Sequence, residues 1–358
     1  MFHDLTFGVF ANFHPMNFFT KIDIPAPDWQ IDYKSRLAFF GSCFADNISA
    51  QFASRKFRVL ANPFGTVYNP LSVAMQIKAI ANGKIFGEKD VFQDTRSASE
   101  ESATWYCWDA HGSLSGKSRE ECVTKLNEYA TQARAFLQST DVVFITLGTA
   151  FVFFLKGSGV AVSNCHRQDP NIFIRKMISV EHATEALKSV VQDLQKIKRQ
   201  GDSGNRDLHI VFTVSPLRHL SDGAHNNTLS KATLQLAIEK LMTGYDRHAE
   251  GTIANPAPTI SYFPSYEIAM DELRDYRFYD NDMIHLSKTA EEYIFERMAE
   301  TYCTEETCTH IRQVEKFLKM ANHRIQDAGS PATAEFRQKL HAEAARLESQ
   351  IAGLQLYV

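Results

Sequence analysis

Hydrophobic positions along the chain fall into two patterns: short continuous runs and longer stretches with helical spacing. Apolar runs occur at 36–40, 142–147, 208–214 and 259–263, and the first three stop at a glycine or a Ser-Pro pair. Such runs, bounded by turn residues, are typical of buried parallel strands. Helical spacing covers six stretches, at 44–55, 71–82, 119–138, 180–199, 228–248 and 287–302. The alternation predicts an α/β fold whose parallel sheet is covered on both faces by helices.

The tail of the chain follows a different pattern. From about residue 304, apolar residues recur at three- and four-residue intervals, and the spacing restarts after Ser330-Pro331. Proline at a first helical position is typical of a new helix. We therefore predict an antiparallel helical hairpin over 304–358, docked on the body or on a second copy of the chain. The second case leaves a homo-oligomer open.

The first fifteen residues are apolar and rich in Phe. They lack the basic segment and the small-residue cleavage site of a signal peptide. We interpret residues 1–15 as an N-terminal extension, with Met16 as a natural start, before a main domain over 16–303.

Composition narrows the function classes. Of 358 residues, 44% are apolar and 22% charged, and the net charge is -4. This is ordinary globular composition without the basic field that attracts nucleic acid. No apolar run reaches the roughly 18 residues that a membrane-spanning helix needs. The six cysteines form no CxxC pair, which favours reduced thiols and a cytoplasmic protein.

Two sequence motifs carry residues suited to catalysis at the edge of a parallel sheet, where ligands usually bind. Ser42 follows the first strand at a strand-to-helix turn, where the helix N-terminus offers donors for an oxyanion. Asp282 precedes His285 by three residues, a spacing that lets the carboxylate orient the imidazole ring. Each motif has a plainer interpretation, since serine and aspartate also cap helices. Their joint occurrence in this order favours a hydrolytic triad.

The turn also carries a family signature. The residues Gly-Ser-Cys-Phe-Ala at 41–45 resemble the motif that names the GSCFA family, a branch of the SGNH/GDSL-like hydrolases. Further blocks similar to those of the family lie at 62–70, 146–150, 164–166, 215–219 and 282–285. The resemblance extends over about 17–300. It implies a flavodoxin-like three-layer α/β/α sandwich of the SGNH hydrolase type and esterase or acyl-transfer chemistry.

The resemblance also implies roles for individual residues. Ser42 would be the nucleophile, His285 the general base and Asp282 its orienting partner. The backbone N–H groups of Ser42 and Gly65 would form the oxyanion hole. One departure concerns Ala150, which stands where SGNH enzymes often supply a third donor from Asn.

Other polar residues of these blocks are candidates for substrate binding. They are Asn164, His166, Arg218 and His219, and the first three are also candidates for the missing donor. The neighbouring Cys43 is interpreted as a packing residue. We expect no cofactor and no metal, because no second pair of ligands accompanies Cys165 and His166.

The sequence thus predicts a serine esterase or acyltransferase. Its expected substrates are small acyl esters, such as O-acetyl groups on carbohydrate. A non-catalytic carbohydrate- or acyl-binding protein on the same fold is the alternative, and Ala150 keeps it open.

Overall fold

A five-stranded parallel sheet forms the centre of the molecule. The computed structural model describes residues 19–94, 104–201, 207–246, 258–323 and 330–356. The strands of the central sheet are β1 (Arg36–Gly41), β2 (Arg58–Ala61), β5 (Val142–Leu147), β9 (His209–Val214) and β10 (Thr259–Tyr262). Each neighbouring pair is parallel, in the order β10-β9-β5-β1-β2. The predicted parallel sheet is confirmed.

The strand order defines where a ligand site belongs. Counted along the chain, the sheet runs 2-1-3-4-5, which is the flavodoxin-like order. In this order the chain changes direction across the sheet between β1 and β5, and a crevice opens outside their carboxyl ends. Ser42 follows β1 and Gly148 follows β5, so both residues lie at this crevice.

Helices cover both faces of the sheet, as a three-layer sandwich requires. The helices are α1 (Cys43–Ser54), α2 (Pro70–Ala81), α3 (Arg119–Leu137), α4 (Val180–Arg199), α5 (Ala224–Asp246), the short α6 (Ser265–Glu267), α7 (Lys288–Tyr302), α8 (Glu305–Ala321) and α9 (Pro331–Gln350). Strand residues alternate between two cores: Phe40 packs with α2 to α5, and Phe39 packs with α1 and α7 to α9. Period-two alternation along each strand explains how one sheet supplies both cores.

Two small antiparallel sheets lie outside the sandwich. One pairs β3 (Val91–Gln93) with β4 (Trp105–Cys107). The other joins β6 (Phe151–Leu155), β7 (Ala161–Val162) and β8 (Phe173–Met177). These strands and the edge strand β2 were not predicted, because they have at most five residues and carry no long buried run. Short strands of this kind depend on their neighbours for stability.

The C-terminal helices pack on the body of the same chain. Val314 and Phe317 of α8 and Leu347 of α9 are buried in one core with Phe39 and Phe144 of the central sheet. Of the two alternatives for the apolar stripes, the structure therefore shows docking on the body. The extension predicted over 1–15 lies outside the described residues, as do residues 324–329 between α8 and α9. Within the described ranges, no helix is long and apolar enough to cross a bilayer.

Candidate functional site

The turn between β1 and α1 is built around a glycine. Gly41 has φ +130°, and a Cβ there would lie 2.0 Å from the carbonyl oxygen of Thr146 on β5. Ser42 caps α1 with its backbone in an extended conformation. Its hydroxyl is buried and has no hydrogen-bond partner in the described part of the chain. Cys43, in the first turn of α1, is half-buried and free. Taken as whole residues, Cys43 is therefore less buried than Ser42.

A hydrogen-bond network attaches the 62–66 loop to this turn. Asn62 accepts from the Gly41 amide through Oδ1 at 2.8 Å and donates through Nδ2 to Asp46 of α1 at 2.7 Å. The second oxygen of Asp46 accepts from the Thr66 hydroxyl at 2.8 Å. Because one carboxylate on α1 accepts from two loop residues, the loop and the start of the helix are held as a unit. Sequence reasoning missed Asp46, whose helical position gave no signal of this role.

The oxyanion hole expected from two backbone amides is not formed in this structure. The Ser42 amide donates to the Thr146 carbonyl at 3.1 Å, and the Gly65 amide donates to the Asn62 carbonyl at 2.7 Å. Ser42 continues the hydrogen bonding of β1 to β5, and Gly65 closes a turn at φ +79°, which explains both bonds. The prediction that these two N–H groups are free donors is therefore corrected.

The predicted Asp282–His285 pair is present. Asp282 Oδ2 lies 2.5 Å from His285 Nδ1, and Oδ1 accepts from the amides of Ile284 and His285 at 2.9 Å each. These hydrogen bonds lower the pKa of Asp282 to about 2, the bond to the imidazole contributing most. An ionised carboxylate only accepts, so Nδ1 carries the proton and the neutral ring keeps Nε2 as an acceptor. Both side chains are about half exposed.

Glu291 connects this pair with the β1–α1 turn. Its carboxylate accepts from Asn47 of α1, and it lies in the first turn of α7. Burial raises the pKa of Glu291, while the Asn47 hydrogen bond and, in its protonated form, His285 oppose that rise. The same carboxylate acts on the Cys43 thiol, whose pKa is raised by burial first and by Asp46 next. Cys43 and His285 therefore lie in one electrostatic neighbourhood.

His219 faces the middle of the crevice. A Cβ on Gly148 would lie 3.3 Å from His219 Nε2 and 3.4 Å from the Tyr68 ring. The two rings meet edge to face at 5.8 Å. Burial lowers the pKa of His219 to about 4, and positive charges, first of Lys231 and more weakly of His285, add to this. The structure thus brings this predicted binding residue to the site.

A buried lysine beneath the crevice was not predicted. Lys231 of α5 donates to the carbonyls of Gly148 at 2.7 Å and Ser215 at 2.6 Å, where β5 and β9 end. Burial lowers its pKa to about 7, and the positive charge of Arg218 contributes. A lysine within a helical sequence pattern is normally expected to be solvent-exposed. The burial of Lys231 is evident only from the packing of α5 on the ends of β5 and β9.

Arg218 makes no ion pair with a carboxylate of the described residues, and its positive charge contributes to the lowered pKa of Lys231. Its Nε is buried without a hydrogen-bond partner among the described residues. Its positive charge also acts on Tyr279. Burial raises the pKa of the Tyr279 phenol, and the charge of Arg218 opposes that rise. The Arg218 side chain is therefore available for the substrate-binding role predicted from the sequence.

Asn164 and His166 are engaged in a different structure. Asn164 accepts from the His166 amide at 2.7 Å, and His166 Nε2 lies 2.8 Å from the Cys107 carbonyl oxygen. The His166 ring stacks on Tyr106 at 4.5 Å. Burial lowers the pKa of His166 to about 4. Both residues thus hold a turn against the β3–β4 sheet, and this geometry does not support their predicted roles as oxyanion donors.

The position of Ala150 is filled without a side-chain donor. Its amide donates to the Ser230 hydroxyl at 2.7 Å, and the residue is fully buried. Ser230 thus joins α5 to the end of β5, one residue before Lys231.

Comparison with known proteins places these features in a family. No curated protein and no solved structure matches the chain significantly. The model of the GSCFA family matches residues 36–298, from the first residue of β1 to the last part of α7. The match includes the β1–α1 turn, the strand ends and the Asp282–His285 pair and covers more than half of the sequence. The chain therefore belongs to the GSCFA family.

Proposed function

We propose that the protein is an esterase or acyltransferase of the SGNH type, acting at the carboxyl edge of the central sheet. The observation that carries the proposal is the hydrogen-bonded Asp282–His285 pair, which shares the neighbourhood of Glu291 with the β1–α1 turn. A neutral imidazole oriented by a carboxylate is the general base that activates a hydroxyl or thiol nucleophile. Small acyl esters, such as O-acetyl groups on carbohydrate, are the proposed substrates.

The proposed reaction has two stages. His285 Nε2 removes the proton of the nucleophile as its oxygen or sulfur bonds to the ester carbonyl carbon. The C–O bond to the alcohol then breaks, and His285 returns the proton to the leaving oxygen. Water attacks the acyl-enzyme by the same route in hydrolysis, and a sugar hydroxyl does so in transfer. Asp282 stays ionised and stabilises the imidazolium in both stages.

The nucleophile is one of two neighbouring side chains. Ser42 is the residue expected from the sequence, and it must expose its buried hydroxyl to reach an ester. Cys43 is the alternative, since the residue is less buried than Ser42 and its thiol interacts with the amides of Phe44 and Cys43 in the first turn of α1. These amides oppose the rise in thiol pKa caused by burial, and first-turn amides are donors suited to an oxyanion.

Single substitutions distinguish the two nucleophiles. With aryl esters of increasing chain length, with and without a sugar acceptor, we expect Ser42→Ala to lower kcat/KM by about 10³ or more. Cys43→Ala is then the matched control and changes the rate only a few-fold. The reverse result, an inactive Cys43→Ala and an active Ser42→Ala, would replace the serine mechanism by a thiol mechanism. His285→Ala must be inactive in either case.

A binding function on the same fold is the second candidate. The observation in its favour is that the Ser42 and Gly65 amides already have internal partners. Saturable binding of an acetylated sugar, with no turnover by the wild type or by any variant, would favour this candidate over the enzyme. The six free cysteines fit the reducing cytoplasm that we propose for the protein.

A further inference from the structure

A cleft of about 400 Å³ lies beside the Asp282–His285 pair. One wall comes from the turn that follows β9, with Arg218 and Leu220. The other comes from the segment between α6 and α7 and includes Leu273 and Met283. Because Met283 adjoins Asp282 in sequence and lies two residues before His285, the cleft is next to the proposed catalytic base.

The cleft exposes apolar side chains that a folded chain normally covers. Met283 is 54% exposed, Leu220 46% and Tyr276 77%. Met283 also has φ +58°, a conformation that a non-glycine residue seldom adopts. Apolar side chains gathered in a concave surface with a few polar groups are typical of small-molecule sites. The walls therefore suit an apolar portion of a ligand.

The charged groups of the cleft differ in how they are compensated. Arg274 pairs with Asp271 at 2.8 Å, and Asp275 pairs with Arg277 at 2.8 Å. Arg218 has no ion pair in the described part of the chain, and its Nε is buried and unpartnered. The buried Nε cannot itself be reached from the cleft, but the Arg218 side chain lines it and carries a charge that no carboxylate of the described residues balances, so an anionic ligand would form a charge-assisted hydrogen bond with its guanidinium.

A second basic group lies below the turn that carries Arg218. Lys231 is 1% exposed, and carbonyl oxygens, among them that of Ser215, are the only partners seen for its amino group in the described ranges. Because burial lowers its pKa to about 7, Lys231 is only partly charged near neutral pH, and Arg218 is the main positive charge at this end of the cleft. An anion bound at Arg218 would in turn favour the charged form of Lys231.

We propose that this cleft selects an anionic ester, with a carboxylate of the substrate bound to Arg218 and an apolar portion against Leu273 and Met283. The inference rests on the proposed function and adds the substrate class to it. The carboxylate is part of either the acyl group or the alcohol of the ester. In both cases it would form the same ion pair with the Arg218 guanidinium. Among the proposed small acyl esters, those with a carboxylate on either part would be better substrates than those without one.

Paired substrates test this selectivity. The 4-nitrophenyl hemiester of adipic acid and 4-nitrophenyl hexanoate differ only in a terminal carboxylate on the acyl group. The ester 4-acetoxybenzoate against phenyl acetate places the same difference on the alcohol. We expect a higher kcat/KM for the anionic member of one pair, and that pair identifies which part of the substrate carries the charge. No preference in either pair would overturn the proposal.

Two arginine variants then assign the preference. In Arg218→Gln the ratio of anionic to neutral kcat/KM should fall by about tenfold or more, mainly through KM. Arg274→Gln is the matched control, because it removes the same charge from the same cleft where Asp271 already balances it. Its ratio should stay within about twofold of the wild type. Equal losses in both variants would show that general charge, and not Arg218, sets the preference.

A binding experiment separates this inference from the proposed esterase. Adipamate and hexanamide contain no ester and differ in the same carboxylate. Calorimetry should show that the wild type binds adipamate more tightly than hexanamide and that Arg218→Gln loses the difference. This outcome with no turnover of any ester would contradict the proposed function and leave the anion site standing. Equal binding of both amides by the wild type would contradict the anion site itself.

Discussion

At the scale of the residue, Gly41 is the most constrained position of the candidate site. Its Cα pairs with Thr146 across two neighbouring parallel strands, at φ +130°. An added Cβ would meet the Thr146 carbonyl oxygen at 2.0 Å, so both backbone strain and steric overlap oppose any side chain. The glycine of the family signature is thus required by sheet geometry before any catalytic role is considered.

We expect Gly41→Ala to lower the free energy of unfolding by about 3 kcal/mol or more. Chemical denaturation of the purified variant measures the change. Gly157→Ala is the control, because no atom of the described residues lies within 4 Å of a Cβ there, and it should change stability by less than about 0.5 kcal/mol. Equal stabilities of the two variants would mean that β1 and β5 separate more easily than their register indicates.

At the scale of the element, the C-terminal helices are part of the second core. Leu347 of α9 is fully buried there. Arg55, at the end of α1, adds polar contacts to Glu315 of α8 at 2.5 Å and to Glu292 of α7 at 3.0 Å. The helices α1, α7 and α8 are therefore held together by one buried guanidinium as well as by apolar packing.

Leu347→Ala should lower the free energy of unfolding by about 2–5 kcal/mol, because it leaves a cavity between α9 and the body. Leu236→Ala, on the outer face of α5 where the side chain is 58% exposed, is the control and should change it by less than about 0.5 kcal/mol. Thermal and chemical denaturation measure both. If Leu347→Ala were as stable as the control, the tail would contribute little to the free energy of unfolding. Truncation after Tyr302 without loss of stability would show the same.

At the scale of the whole molecule, stability depends on histidines that are buried in the neutral form. Burial lowers the pKa of His166 to about 4, against about 6.5 in the unfolded chain. Above pH 6.5 the ring is neutral in both states, and its contribution to stability is complete. Between pH 6.5 and 4 the unfolded chain binds a proton that the folded chain does not, so the free energy of unfolding falls as the pH falls.

For His166 this loss amounts to about 2 kcal/mol between pH 7 and pH 5. Denaturation curves at the two pH values should therefore show a smaller pH dependence in His166→Gln than in the wild type. His182→Gln, at an exposed position of α4, is the control and should retain the wild-type dependence. If the pH dependence of the free energy of unfolding were unchanged in His166→Gln, groups other than His166 would be responsible for it.

Local patterns in the sequence were sufficient for the main elements of the fold. The continuous apolar runs at 36–40 and 142–147 correspond to β1 and β5, because strands buried on both faces need apolar residues at every position. The i, i+3 spacing of Asp282 and His285 correctly predicted their contact, since one turn brings the two side chains together.

Other features arose only when distant segments packed. The partner of the Ser42 amide depends on the register of β1 against β5, and the partner of the Gly65 amide depends on the turn at Asn62. Neither can be inferred from the signature at 41–45. Lys231 reads as a solvated helical lysine until α5 covers the ends of β5 and β9. The sequence by itself determined the main helices and the four longer apolar strands and their order, because these depend on local periodicity, but not the short strands that need neighbours. The tertiary structure decided which polar groups are satisfied, buried or left without a partner, because their partners lie far away along the chain.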